Sequence, residues 1–398
     1  MASFKIKRKG TENQTEQNNN VEAMLRRHRR RKMIRVAIVL GIIAIICLIV
    51  WIIENNRSFS DYKVKSDLEI EGNDSSSIIE FGDCVIKYSY DGASYINGKE
   101  TVWNVAYEMK SPIIDVCDGY AVIGDEESNT IYLFDEDGEV GEITTSYPIT
   151  KLEVAKQGVI AALMEDGTTS YIEVYDKNGD IIVTHKTILD GNGCPIDISL
   201  SEDGTKLVVS YVCINSGSME SKVLFYNYSD VGQNEVDRMV GGFNQYSSSV
   251  VPTVEFTDND TAIAIGDNIL TIYNMDEKPN IEEEIELSDE IQKVFYNEKY
   301  IGIVTLNTDS VNPYKITIYN MKGKTVAGFE ISDEYDTMKF DGKTVMMYTD
   351  NQFTVVSFNG TVKFDYTFSS EIIDIVPISG SYRYLLVTPD KMQKIKLK

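Results

Sequence analysis

Thr130-Ile131-Tyr132-Leu133-Phe134-Asp135-Glu136-Asp137-Gly138 and Ser170-Tyr171-Ile172-Glu173-Val174-Tyr175-Asp176-Lys177-Asn178-Gly179 share one design. Each alternates apolar and polar residues, ends on an aromatic and closes with a polar turn, the signature of a half-buried strand entering a hairpin. The design returns at Lys222-Val223-Leu224-Phe225-Tyr226-Asn227, at Leu270-Thr271-Ile272-Tyr273-Asn274 and at Lys315-Ile316-Thr317-Ile318-Tyr319-Asn320-Met321-Lys322-Gly323. The strand-ending aromatics Phe134, Tyr175, Tyr226, Tyr273 and Tyr319 are 41, 51, 47 and 46 residues apart, and a weaker copy runs from Phe353 to Gly360. Short strands repeating every ~40–50 residues are what propeller blades look like in sequence. Ile131/Leu133, Ile172/Val174, Val223/Phe225, Leu270/Ile272 and Ile316/Ile318 fall at equivalent alternate positions and present one aliphatic face per repeat to a neighbouring blade.

Two further strands per unit complete a four-stranded blade, as in Ile196 to Leu200, the turn Ser201-Glu202-Asp203-Gly204, and Lys206 to Tyr211. Seven complete units follow: Ile78 to Met109, Ser111 to Ser146, Pro148 to Thr187, Cys194 to Gly241, Val250 to Leu287, Asp289 to Ile331 and Asp333 to Phe368. The tail from Glu371 holds only three strands, while Tyr62 to Ile70 is a spare strand before the first unit. If the spare strand completes the last unit, the ring has eight blades and no open sheet edge within it; otherwise it has seven. The expected fold is therefore all-β, an eight-bladed (alternatively seven-bladed) propeller over residues 62–398.

Through the Tyr-Asp-x-x-Gly hairpin and the Gly-x-x-x-aromatic at Gly360 to Phe364, the units resemble quinoprotein-dehydrogenase-like and WD40-like propellers. They depart from both: Asn97 to Trp103 is one residue longer than the quinoprotein repeat, the other units lack its Trp, and no Trp-Asp dipeptide occurs. What the resemblance implies is architecture.

Ahead of the repeats, Val36 to Ile53 is an uncharged apolar run of 18 residues, with Arg26-Arg27-His28-Arg29-Arg30-Arg31-Lys32 just before it. As a helix it covers about 27 Å, enough for a hydrocarbon core, with Trp51 suited to the far interface. The basic cluster keeps the N-terminus in the cytosol. Ile53-Glu54-Asn55-Asn56 offers no small-residue cleavage site, and Cys47 lies mid-run rather than after small residues, so neither a cleaved leader nor a lipid-anchored cysteine fits. The expected organisation is a basic disordered cytosolic tail at 1–35, a membrane helix at 36–53, a linker at 54–61 and an extracytoplasmic propeller at 62–398. This combination also resembles an uncharacterised bacterial family of single-pass proteins carrying a domain of unknown function, which implies location and shape.

Residues 1–35 carry 11 Lys+Arg against 3 Glu, a tail near +8 in a chain of net −24. The tail suits anionic lipid headgroups, so membrane lipid is one expected partner. The acidic remainder argues against nucleic acid.

The chemistry-bearing residues are sparse. Only His28 and His185 occur, no Gly-x-Ser-x-Gly elbow accompanies His185, and no C-x-x-C spacing is present. Asp135-Glu136-Asp137-Gly138, Asp176-Lys177-Asn178-Gly179 and Asp258-Asn259-Asp260 lack the spacing of a calcium loop and read as turn chemistry. Trp103 is the one exterior Trp available for stacking on a quinone. No residue is assigned a catalytic, cofactor-binding or metal-binding role, and no cofactor is expected.

Among Cys84, Cys117, Cys194 and Cys213, the pair Cys194 and Cys213 flanks the Asp203-Gly204 turn almost symmetrically. That places them opposite each other or one residue off, either bridged as a disulfide or packed as two small hydrophobes. The stretches Asn215 to Ser221 and Gly241 to Ser249 read as long loops, with Phe243 and Tyr246 the candidate binding aromatics. The functional expectation is a membrane-anchored extracytoplasmic binding, scaffold or sensor module with a protein or cell-surface partner. The alternatives are a quinoprotein-like oxidoreductase and a glycan-acting enzyme using carboxylates in the central funnel.

Overall fold

The structure, a computed structural model, describes residues 32–33, 38–43, 45–46, 56–70, 76–82, 84–97, 99–189, 193–215, 217–246, 249–308 and 310–398. The chain divides into two units, Met1–Ser58 and Phe59–Lys398. In the first, residues 38–43 and 45–46 are helical, and no helix among the described residues is long and apolar enough to cross a membrane. The expected tail and most of the expected span, Cys47 and Trp51 included, lie outside the described residues.

The second unit is eight four-stranded antiparallel sheets. Blades 1 to 7 take their strands in chain order from 77–106, 112–144, 149–188, 194–246, 253–286, 291–331 and 337–367. Blade 8 takes Asp374–Pro377, Arg383–Val387 and Lys391–Leu397 from the C-terminus and its outermost strand, Tyr62–Glu69, from the N-terminal end of the unit. That strand pairs antiparallel with the last one, from Tyr62 opposite Leu397 to Glu69 opposite Lys391. The eight-bladed expectation holds, and the seven-bladed alternative does not.

The repeated hairpin explains the blade. Ile131, Leu133, Ile172, Val174, Val223, Phe225, Leu270, Ile272, Ile316 and Ile318 are all buried against the following blade, and the strand-ending aromatics face the other way, into the junction with the preceding blade. Next to that aromatic position the pairing of third and fourth strands slips, at Leu133/Phe134, Val174/Tyr175, Phe225/Tyr226, Ile272/Tyr273 and Ile318/Tyr319. A bulge at this point adds right-handed twist, which the outer half of a blade needs to splay away from its neighbours. The Asp-rich turns are closed by side chains: after the third strand of blade 2 Asp135 accepts from the N–H groups of Asp137 and Gly138, and between the first two strands of blade 5 Asp258 accepts from those of Asp260 and Thr261.

Two expected loops are strands. Lys206–Asn215 and Ser218–Asn227 are the two longest strands, paired to the tip at Ile214 opposite Met219 and Asn215 opposite Ser218. Met239–Tyr246 is the fourth strand of blade 4. Its Gly241-Gly242, the start of the expected loop, makes room for neighbours: a Cβ at Gly241 would strike the Pro279 ring and one at Gly242 the Leu224 side chain.

Candidate functional site

The first strand of each blade lines the axis and leaves one backbone edge without a strand partner, so its N–H groups need acceptors from elsewhere. In blades 2, 3 and 4 side chains of the preceding first strand supply them. Asp115 in blade 2 accepts from the Val154 N–H of blade 3 (2.7 Å), and Glu153 in blade 3 accepts from the Leu200 N–H of blade 4. Ser199 in blade 4 accepts from the Phe256 N–H of blade 5 (3.0 Å), joined by Asp197, which accepts from the Val254 N–H (2.9 Å). Glu255 in blade 5 accepts from the Tyr296 hydroxyl of blade 6 (3.2 Å), and Lys339 in blade 7 pairs with Asp374 in blade 8 (2.8 Å). Blades 2 to 6, and blades 7 and 8, are thus stitched to one another on the inside of the ring.

Asp115, Glu153, Asp197 and Glu255 bring four carboxylates together, with Lys151 the cation among them, 3.0 Å from Asp197. Asp197 is buried and Asp115, Glu153 and Glu255 are half-buried, so protein displaces part of the water that would solvate these charges, and Tyr296 retains 37% of its exposure. Desolvation pushes Asp115 up to about 6 against the N–H bonds from Val154 and Val116. It pushes Glu255 up to about 8, helped by the Asp115 charge and opposed by the Tyr296 hydrogen bond. Glu153 is raised well above the ordinary range, first by desolvation and then by Asp115 and Glu255. Asp197 is raised by desolvation despite Lys151. The cluster therefore holds protons into the neutral range, and each of its carboxylates has an oxygen committed to a neighbouring blade. Among the described residues no group of His, Cys, Asp and Glu has the arrangement of a metal site.

Sequence reasoning missed this ring because 59 Asp and Glu follow residue 35. The available signal was an acid embedded near the end of an apolar first strand and followed by an apolar residue, as in Asp115-Val116, Glu153-Val154 and Glu255-Phe256.

The residues singled out from sequence are elsewhere. Tyr246 is buried at 1% exposure between blades 4 and 5, where its hydroxyl donates to Thr271 (2.8 Å) and meets the Tyr273 hydroxyl. Phe243 is half-buried, with its ring 4.8 Å from Tyr273 and 5.9 Å from Phe225. The two rings pack a blade junction; the loop reading failed, and with it the exposure that stacking on a ligand requires.

Cys194 faces Val212, one residue off Cys213, so successive side chains send the two thiols to opposite faces of the sheet. None of Cys84, Cys117, Cys194 and Cys213 is in a disulfide.

His185 is buried against Tyr226 with Nε2 3.1 Å from the Tyr228 hydroxyl, and desolvation lowers it to about 4, so its ring is neutral. Trp103 stacks on Phe134, centroids 5.2 Å apart, on the outer strand of blade 1 rather than on the axis.

Eight four-stranded sheets closed by pairing the two ends of the unit define the class: an eight-bladed β-propeller. The chain belongs to the DUF5711 family, a family of unknown function, which it matches over residues 55–397. Among solved structures it is similar to BamB from Moraxella catarrhalis, with 13% identity, 85% of this chain and 100% of that chain covered, and a TM-score of 0.54. It is also similar to Sqt1 from Saccharomyces cerevisiae, with 10% identity, 86% and 99% covered, and a TM-score of 0.56. At these identities the likeness is one of fold. A search of curated proteins gives no match.

Proposed function

We propose that this protein is a single-pass, N-in membrane protein that displays its propeller outside the cytoplasm as a binding module for a protein partner. The observation that carries the binding half is the hairpin of blade 4. Its strands have ten residues each, and Ile214 and Met219, opposite each other near the tip, are 78% and 60% exposed. Ile188 and Leu189, leaving blade 3 on the same end, are also exposed; Gly193 donates to the Leu189 carbonyl (3.3 Å) and lies against Cys213 of the hairpin. Apolar side chains raised on a projecting rim are features of a docking surface. The membrane half rests on the uncharged run 36–53 and the basic cluster before it.

A glycan-acting enzyme would draw on the raised pKa of Asp115 and Glu255, but general acid and base groups need oxygens free for substrate. Here each carboxylate holds the next blade, which favours a structural duty.

The test uses the intact protein in cells, with a photo-crosslinking residue in place of Met219 and, as a control, in place of Glu282 on the outer strand of blade 5. A discrete protein adduct from position 219 and none from 282 is expected; adducts with lipid alone, or equal capture at both, would refute the binding surface. Membrane-impermeant protease applied to the same cells should remove the propeller and spare the tail, and the opposite pattern would refute the orientation.

A further inference from the structure

At the junctions after blades 1, 4 and 7 the residue at which the chain leaves the fourth strand is a ring, Tyr107, Tyr246 or Phe368, whereas after blades 5 and 8 it is aliphatic, Leu287 or Ile70. Aligned on the strand-ending position of the third strand, the exit residue faces the residue five earlier. Tyr246 faces Ser221, while the N–H groups of Tyr107, Phe368, Leu287 and Ile70 bond to the carbonyls of Asp91, Asn351, Asn268 and Asp390. At the junction of blades 4 and 5 the exit ring, Tyr246, fills the wedge, and its hydroxyl bonds Thr271 and Tyr273 of the Thr-Ile-Tyr-Asn segment of blade 5. Between blades 6 and 7 a tyrosine four residues past the exit performs the same act, Tyr335 donating to Thr354 (3.0 Å).

Blade 6 carries the same Thr-Ile-Tyr-Asn segment, Thr317 to Asn320, but the exit residue that should reach it is Leu287, and Ser288, Asp289 and Glu290 follow with no ring. The consequence is a cleft of roughly 340 Å³ lined by Leu287, Thr317, Tyr319, Lys315 and Gly328 among others. Neither the Thr317 nor the Tyr319 hydroxyl makes a hydrogen bond among the described residues, whereas their counterparts Thr271 and Tyr273 share the hydroxyl of Tyr246. The volume is at the lower end of the ~300–1,000 Å³ range of small-ligand pockets.

We propose that the cleft between blades 5 and 6 takes a tyrosine side chain presented by a partner polypeptide, as the preceding junction takes Tyr246 of its own chain. Leu287 and the Ile303 side chain supply the apolar wall, and Thr317 and Tyr319 supply the hydroxyl partners. The junction of blades 8 and 1 repeats the pattern, with Ile70 at the exit, Ser94 at the hydroxyl position and a cleft of roughly 660 Å³. Residues 71–75, directly after Ile70, lie outside the described residues, so the proposal is confined to blades 5 and 6.

The inference rests on the reading of the protein as a binding module, and its test is separate from the crosslinking test. The full chain in detergent is titrated with N-acetyl-L-tyrosinamide and with N-acetyl-L-phenylalaninamide, observed by ligand-detected NMR. The tyrosine amide should bind about three- to ten-fold more tightly, the worth of one or two net hydrogen bonds. Thr317→Val should reduce that preference, and Leu287→Tyr should abolish binding while raising the melting temperature, because the chain then seals its own wedge. Gly328→Leu is a second blocking variant; a Cβ there meets only the Ile316 carbonyl, at 3.5 Å, so the fold tolerates it. Equal affinity for the two amides, no binding of either, or undiminished binding to Leu287→Tyr and Gly328→Leu would overturn the proposal. A partner captured at position 219 would in that case still uphold the module.

Discussion

Replacing Glu255 by Gln should stabilise the propeller at alkaline pH and leave it unchanged at acid pH. Gln keeps an oxygen to accept the Tyr296 hydroxyl and removes the charge that the axis disfavours. The folded-state pKa is raised from 4.5 to about 8, so between those values the folded protein binds more protons than the unfolded chain. Stability contributed by that proton is full below about 4.5 and is lost as pH rises through 8. At about 1.36 kcal/mol per unit the ceiling is about 5 kcal/mol; sharing of the field with Asp115, Glu153 and Asp197 and partial access to water bring the expectation to about 2 kcal/mol. The propeller unit, Phe59–Lys398, has 340 residues. An unfolding entropy of ~2.1 cal/mol/K per residue makes 2 kcal/mol about 3 °C in melting temperature. Differential scanning calorimetry of the wild type and Glu255→Gln at pH 4.5, 6.5 and 8.5 should therefore show a gain growing from zero to about 3 °C. A shift of the same size at all three values, or a loss at pH 8.5, would refute the desolvated-acid account of the axis.

Two further outcomes follow from the packing. A chain beginning at Ser76, which lacks the strand Tyr62–Glu69 and the buried Phe59, leaves the edge Lys391–Leu397 unpaired. It should melt more than 5 °C lower, from about 0.5–1.5 kcal/mol per lost hydrogen bond, and should self-associate through the bare edge; a monomer by light scattering with unchanged melting would contradict the closure. Tyr246→Phe removes the bonds to Thr271 and Tyr273 and leaves the Tyr273 hydroxyl short of a partner, so it should cost about 1–2 kcal/mol by urea unfolding. A neutral result would show that the hydroxyl at this junction does no sealing.

The repeat, the four strands per blade and the borrowed closing strand were legible from one chain. Period-2 alternation and a fixed spacing of strand-ending aromatics are local properties, written residue by residue. Tyr62 to Ile70 announced itself by arithmetic, as the strand the tail was missing. The proposed membrane topology rests on composition alone, the basic cluster and the uncharged run 36–53.

Two local misreadings show where that reach ends. The stretch beginning Gly241-Gly242 looks like a loop until Pro279 and Leu224 are seen pressing on the places where the glycines' side chains would be. Phe243 and Tyr246 look like ligand-facing rings until the strand they belong to turns them inward.

The acids of the axis and the unsealed wedge belong wholly to tertiary structure. Asp115, Glu153, Asp197 and Glu255 are separated by 38, 44 and 58 residues in a chain crowded with acids. Only the stacking of consecutive blades makes them neighbours and displaces part of their water, and a pKa shift is a property of that shared environment rather than of any residue. Thr317 and Tyr319 are chemically the same as Thr271 and Tyr273. What distinguishes them is whether the preceding blade sends a tyrosine or a leucine across the gap.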